Sequence, residues 1–451
     1  MKDINLPTFL SDHQFVSKNQ FNAIKSDLIA TIDSTESLND QSNGVMFYLT
    51  HLDRYEEENN LIDLIYKYVS ITGYEMPDKG IHMHRDLSIQ HLRLLENVGE
   101  DSINNAFTSR QIEPLDETSY YLRVLAPLML CEEIKDWEVY KWVALEIVNF
   151  SLENGINEIT PYGCLGLARY MMTKYEDMHL ANDYAKYALT EIEKSNNKLL
   201  INAFYSDYAF IILPWLKEIS ECTQLIEDKY QLIRESEDAY LKGKNIKRYY
   251  QMMLFSGMNK EEALAVSQGR LSVESFDQKP EISAILEMYQ LSKMTQRVNL
   301  EKVIMLIDKS PELYEGNLLH PSLLVMKAVH INNQKINDEG GLRKVFDRFK
   351  YWAGYSPNLF DVLKHFVEAE WRLQRNEIEK SKSLYKQALD LSSSNKSDLN
   401  CLIALRRLAV FSDLHIDKND LKVFYNEALS IYQEFGDQKA IESFLKRFPS
   451  I

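Results

Sequence analysis

The chain is poor in the residues that punctuate a strand protein: 15 glycines and 11 prolines among 451 residues, each about half its usual share or less. That scarcity disfavours a β-rich fold, and the bulk is expected to be helical. Cysteine is equally sparse. Cys131, Cys164, Cys222 and Cys401 lie far apart with no CxxC pair, so neither a zinc knuckle nor a disulfide framework is indicated. Positive charge is in deficit too. Lys plus Arg is 51 against 67 Asp plus Glu, a net charge of −16, which repels phosphate backbones and anionic membranes. A general nucleic-acid binder is thereby disfavoured. Long apolar runs are missing: segments such as 124–131 and 209–216 reach about eight residues, far below the roughly 20 that span a bilayer, and read as core helices. The opening Met1-Lys-Asp-Ile-Asn-Leu-Pro lacks the features of a secretory leader, and the expectation is a cytoplasmic protein without membrane insertion.

What is present is core material. Apolar residues reach 45%, with 26 Tyr and 19 Phe, so the chain is expected to fold without disorder. At 451 residues it exceeds one ordinary core and is either several domains or one repeat array. Apolar residues recur at spacings of three and four, as in Leu61, Leu64, Ile65 and Tyr68, or in Val139, Trp142, Val143, Glu146, Ile147 and Phe150. Short polar breaks separate these helices, among them Asn154-Gly-Ile-Asn, the stretch 193–198, Glu315-Gly-Asn and Asp417-Lys-Asn-Asp. Breaks of that length join antiparallel helix pairs. Residues 1–20 lack periodicity and read as a tail; 21–275 reads as an N-terminal array and 281–451 as a C-terminal one. Ser272 to Pro280 is the one linker-like stretch between them.

An internal comparison supports a repeat. Leu384-Tyr-Lys-Gln-Ala-Leu-Asp-Leu and Phe424-Tyr-Asn-Glu-Ala-Leu-Ser-Ile match in character, about 40 residues apart. Ala369 and Ala409 precede the second alanines, Ala388 and Ala428, by the same interval, with a polar turn between. In a tetratricopeptide-type hairpin a small residue on the first helix admits the second, and an aromatic wedges between hairpins; Tyr385 and Tyr425 suit the wedge. Ala168, Ala181, Ala185, Ala188 and Leu189 supply a third copy. The expected fold is all-α, a right-handed superhelical solenoid of antiparallel helix pairs. An irregular all-helical domain is the alternative.

Lys350-Tyr-Trp-Ala-Gly-Tyr-Ser-Pro-Asn-Leu-Phe, Val367-Glu-Ala-Glu-Trp-Arg-Leu and Ser383-Leu-Tyr-Lys-Gln-Ala-Leu resemble the helical region of large multidomain signalling proteins. In that family a serine/threonine kinase-like domain and an AAA-type ATPase precede the region, and a GAF and sensor histidine kinase module follows. The segment 432–449 is similar to the close of that region, with Phe435 where a tryptophan is usual. Gly73-Tyr-Glu-Met-Pro, Ser151-Leu-Glu-Asn-Gly, Tyr162-Gly-Cys-Leu-Gly and Trp215 fall in its order upstream. The resemblance covers roughly residues 40–449 and implies a regulatory or protein-binding helical scaffold standing alone. Its ATPase or kinase partner would be encoded separately. The family's catalytic residues lie in domains absent from this chain, so none carries over.

Candidate chemistry is thin. His84-Arg-Asp-Leu-Ser-Ile-Gln-His91 imitates a kinase catalytic loop but has His91 where the metal-binding Asn belongs. Gly243-Lys244 lacks the rest of a phosphate loop. His82, His84 and Asp86, read as a solvated loop, and His179 beside Glu176 and Asp177 supply too few ligands for a dedicated metal site. Lys242, Lys244, Lys247 and Arg248, followed by Tyr249 and Tyr250, form a basic-aromatic cluster, read as inward tyrosines and solvated charges. No cofactor or metal is expected. The concave face of a superhelix, lined by first helices, would include Tyr162, Arg169, Thr173, Glu370, Gln374, Arg406 and Asp413 as a partner groove. The leading expectation is a non-enzymatic scaffold or regulator that binds a protein or peptide in signalling or transcription. A ligand-responsive sensor binding a small molecule or signalling peptide inside the superhelix is the second, and an enzyme built from scattered residues the third.

Overall fold

The computed structural model describes residues 18–55, 61–99, 102–131, 136–174, 177–236, 238–255, 258, 260–271, 319–333, 337–392, 398–414, 417–435 and 438–449. These residues form an all-helical fold of 20 α-helices with no strand, as the scarcity of turn residues leads one to expect. None of these helices is long and apolar enough to cross a membrane. Two compact units emerge, one within 1–212 and 228–244, the other within 213–227 and 245–451. The stretch 272–280, the Glu315 break and most of the 1–20 tail lie outside the described residues, although the first helix already contains residues 18–20.

The first unit begins with α1 (Lys18–Ser34), α2 (Leu38–Tyr55), α3 (Leu61–Ile71) and α4 (Ile81–Val98). It continues with α5 (Ile103–Thr108), α6 (Tyr121–Leu125), α7 (Trp137–Asn154), α8 (Thr160–Lys174), α9 (Met178–Glu193) and α10 (Lys198–Asp207). The starts are capped by the residues that suit them: Asp136 accepts from the N–H groups of Glu138 and Val139, and Asp177 from those of His179 and Leu180. α7 is buried on nearly every side, and α8 packs closely on it through Gly163 and Gly166. A Cβ at Gly163 would lie 2.5 Å from Cγ2 of Ile147 and 2.7 Å from its Cβ, so the glycine sets the helix separation. Gly163→Ala is expected to cost about 1–3 kcal/mol by overpacking. A lowered midpoint in urea unfolding is the check, and an unchanged one would remove the glycine from the packing account.

The two apolar segments read as core helices are buried, but with different winding. Residues 126–130 are 3₁₀ and residues 208–212 form a π turn followed by 3₁₀ at 213–215. Pro127 and Pro214 lie in or beside these irregular turns and lack the N–H a regular helix would use. α11 (Ile219–Tyr230) and α12 (Ala239–Phe255) run across the unit boundaries in sequence.

The second unit holds α13 (Lys260–Leu271), α14 (Leu319–Asn333), α15 (Glu339–Tyr355), α16 (Pro357–Gln374), α17 (Ile378–Ser392), α18 (Asp398–Asp413), α19 (Lys418–Phe435) and α20 (Gln438–Arg447). From α14 onward each helix packs on the next in the chain. Ser356 stands in a non-helical conformation before Pro357, which ends α15 and starts α16. Trp352, Phe360 and Trp215 are fully buried together, with Trp215 5.1 Å from Trp352 and 5.2 Å from Phe360 between ring centroids. Ala369, Ala388 and Ala428 are fully buried, and the Ser381 hydroxyl donates to the carbonyl of Ala369, bringing α17 onto α16. Tyr385 touches Phe366 on one side and Phe411 on the other.

Candidate functional site

Each unit is organised around one buried glutamate. In the first, Glu146 of α7 is 4% exposed and takes two donors on each oxygen. Oε1 accepts from Tyr74 (3.0 Å) and Tyr121 (2.6 Å), Oε2 from Gln90 (2.6 Å) and Arg93 (3.4 Å). Those four donors fill the carboxylate's four lone-pair positions. Tyr74 and Tyr121 stack face to face at 3.8 Å, and burial followed by the Glu146 charge pushes both phenols well above their ordinary range. They remain protonated and donate at any ordinary pH.

Glu146 belongs to a longer polar seam between α4 and α7. Trp142 Nε1 donates to Asp86 at 2.5 Å, Asn149 donates to the Gln90 carbonyl and side chain at 2.8 Å, and Arg93 forks onto Glu153 at 3.0 and 2.6 Å. Asn97 also reaches Glu153 at 3.0 Å. Asp86–Trp142, Gln90–Glu146 and Asn97–Glu153 all keep an offset of 56 residues, so α4 and α7 run in the same direction, matched position for position. The bond to Arg93 holds the Glu153 carboxyl below its usual range, against the effect of partial burial.

The second unit repeats the device with Glu370 of α16, whose exposure is 0%. Oε1 accepts from Arg406 Nε (2.7 Å) and the Tyr385 hydroxyl, and Oε2 from Arg406 Nη2 (2.9 Å) and Asn332 Nδ2 (2.6 Å). Asn332 also donates to the Glu370 carbonyl at 2.9 Å. Arg406 is 12% exposed in its side chain and binds with the two-point fork that suits a carboxylate. Burial draws the guanidinium down, but the Glu370 charge and bonds outweigh it and raise it above its normal range. Tyr385 is pushed far up, first by burial and then by Glu370.

The seven groove candidates divide accordingly. Tyr162, Thr173 and Glu370 are buried and are withdrawn from any exposed surface. Tyr162 packs edge-on against Phe204 at 5.3 Å; Thr173 is 1% exposed. Glu370 and Arg406 do meet, as an internal pair. Arg169 is half-buried, donating to the Cys131 carbonyl and lying 5.9 Å from the Tyr140 ring. Gln374 is half-buried and Asp413 exposed.

Other readings need correction. His82 and His84 are in the first turn of α4, not on a loop; His84 lies 3.3 Å from Glu138, and Asp86 is engaged by Trp142. The kinase-like stretch is likewise helix. Asp177 is a helix cap for His179 and its neighbour. Among the described residues no cluster of His, Cys, Asp and Glu could hold a metal. In the basic cluster, Tyr249 and Tyr250 do pack inward, but Lys244 and Arg248 are buried with them, Lys244 paired to Asp207 at 3.1 Å. Cys131, Cys164 and Cys222 are buried, and burial raises the thiol of Cys164 well above its ordinary value and that of Cys222 up to about 12.

In the sequence Glu146 lies within an apolar stripe, and its neighbours in the chain do not show what holds it. The signal was a carboxylate on a core face, together with polar residues spaced four, three and four on each helix: 86, 90, 93, 97 and 142, 146, 149, 153. Chemically these arrangements are clamps, with their donors and acceptors consumed on one another. Comparison of the chain with protein-family models, with curated proteins and with solved structures finds no match.

Proposed function

We propose that the chain is a non-enzymatic scaffold, a right-handed tetratricopeptide-like solenoid of antiparallel helix pairs that binds a protein or peptide partner in a signalling or transcriptional process. The observation that carries this reading is the recurrence of equivalent contacts at one repeat interval in the second unit. Asn332 to Glu370 spans 38 residues, Glu370 to Arg406 spans 36, and Lys382 to Asp420 spans 38. The first two link alternate helices α14, α16 and α18; the third links α17 and α19. A stack of helix pairs predicts such bonds between like helices of successive repeats.

Contacts between chain neighbours support the pairing. Ala369 meets Ser381 while Phe366 meets Tyr385, and Phe411 meets Phe424 while Arg407 meets Glu427. As one helix is followed forward its partner is met in reverse, which is what antiparallel neighbours do. Rigidly clamped helices offer a preorganised surface, and preorganisation reduces the entropy lost on binding. With a net charge of −16, that surface favours basic or mixed-charge segments. An ATPase or kinase on a separate chain is the partner that the family resemblance suggests.

Selection of peptides from a random library on the immobilised 451-residue chain tests the reading. The expected result is an enriched basic or mixed-charge sequence that binds saturably and weakens several-fold between about 50 and 500 mM salt. Failure to enrich any sequence, or enrichment indifferent to charge and salt, would overturn it.

A further inference from the structure

Helix α4 packs inward with a mixed polar and apolar face and leaves large apolar residues on its outer one. A surface helix ordinarily buries its apolar stripe and exposes its polar one. Here the polar positions Asp86, Gln90, Arg93 and Asn97 face α7 alongside the buried Met83 and Leu94, while a second set of apolar residues on the opposite side is left outside. Ile81 is 84% exposed, Ile89 43%, Leu92 60% and Leu95 59%. Ile89, Leu92 and Leu95, each three residues from the next, form an apolar patch of the kind that marks an interaction site, unlike single exposed leucines elsewhere, and Ile81 stands apart near the helix start.

The pattern of the patch suggests what covers it. Positions 81, 85, 88, 92 and 95 advance by four and three in alternation, the seam spacing of a helix that pairs with another helix. Ser88, small and exposed, lies midway along that seam. Charge is divided between its ends: Arg85 stands one turn from the start, Glu96 near the finish, and both are exposed. Among the described residues neither forms an ion pair. The same helix laid alongside itself head to tail brings Arg85 of each copy to Glu96 of the other and Ile89 beside Leu92. Laid head to head it would set Arg85 against Arg85. The surface is therefore self-complementary about a two-fold axis in the antiparallel sense only.

We propose that two copies of this chain associate through α4, packed antiparallel across a two-fold axis, with Leu92 and Leu95 in the seam, Ile89 beside it and Arg85–Glu96 pairs at both ends. An 18-residue helix is about 27 Å long, so the interface is at the small end of specific ones. Its dissociation constant falls in the range of roughly 1–100 μM, suited to a reversible dimer.

Sedimentation velocity on the 451-residue chain across that range reads the association directly. The expected result is a monomer–dimer equilibrium that Leu92→Glu shifts at least tenfold toward monomer, with an unchanged helical circular dichroism spectrum because Leu92 faces solvent. Arg85→Glu and Glu96→Arg should each weaken the dimer severalfold, and the double exchange should restore it, a rescue that misfolding cannot imitate. A bismaleimide reagent should join copies carrying Ile89→Cys, near the axis, and should not join Ile81→Cys copies, whose residues lie at opposite ends. A monomer at every concentration overturns the proposal, as does a dimer indifferent to Leu92→Glu or a charge exchange without rescue. Stronger joining at position 81 than at 89 would refute the antiparallel arrangement.

Discussion

Replacing Glu370 with leucine is expected to destabilise the second unit by about 3–5 kcal/mol, the largest effect of any single substitution considered. The cause is what the change leaves behind. Arg406 would keep its charge in a site where its side chain is 12% exposed, with no carboxylate to receive Nε and Nη2. The Tyr385 hydroxyl, in a fully buried ring, would lose its acceptor, and Asn332 one of its two. Removing both charges together is a different matter. A buried ion pair contributes little net stability over apolar groups of similar size, because desolvation offsets much of the attraction. Glu370→Leu combined with Arg406→Met should therefore recover at least half of the loss. Urea unfolding gives the totals, and amide hydrogen exchange gives the location, with faster exchange expected first in α14, α16 and α18. A single substitution costing less than 1 kcal/mol, or a double costing the sum of the singles, would mean that the glutamate does not join these helices.

How far such a site can be anticipated from sequence depends on how local its causes are. Helix starts at Asp136, Asp177 and Asp417 follow from cap chemistry within three residues, and are legible. The burial of Ala369, Ala388 and Ala428 and the aromatic contacts of Tyr385 are legible at one remove, because residues of similar character recur in the sequence, although Ala409 is only half-buried. The burial of Glu370 is not. Nothing near it in sequence distinguishes a groove carboxylate from a clamped one; the difference lies in Asn332 and Arg406, 38 and 36 residues away. The same holds for Lys244, which looks like part of a solvated basic cluster until Asp207 is found beside it. Helix α4 misleads for a related reason. Its polar residues find matching polar partners on α7 while Ile89, Leu92 and Leu95 stay outside, so apolar periodicity alone does not tell its inside from its outside.

Those polar contacts make Glu146 the second position of large effect. Glu146→Leu is expected to cost about 2–4 kcal/mol, since Tyr74, Tyr121 and Gln90 would each present a donor to an apolar side chain. The loss should stay below that at Glu370. Arg93 is 32% exposed and keeps its fork on Glu153, so no charge is stranded. Glu146→Gln retains an oxygen for one pair of donors but turns an N–H group toward the other, and should fall between wild type and leucine. The effect should also be regional, with exchange rising along α4 and α7 while α16 to α18 keep their protection. A loosened α4 has a consequence outside its own unit's core. Its solvent face is straight and in register only while the opposite face is held, so Glu146→Leu should weaken self-association without altering any exposed side chain. Sedimentation of the variant well below its unfolding midpoint separates the outcomes. Lower stability with an undiminished dimer would show that the exposed stripe keeps its geometry independently of the seam beneath it, and an unaltered unfolding midpoint would show that Glu146 does not hold the two helices together.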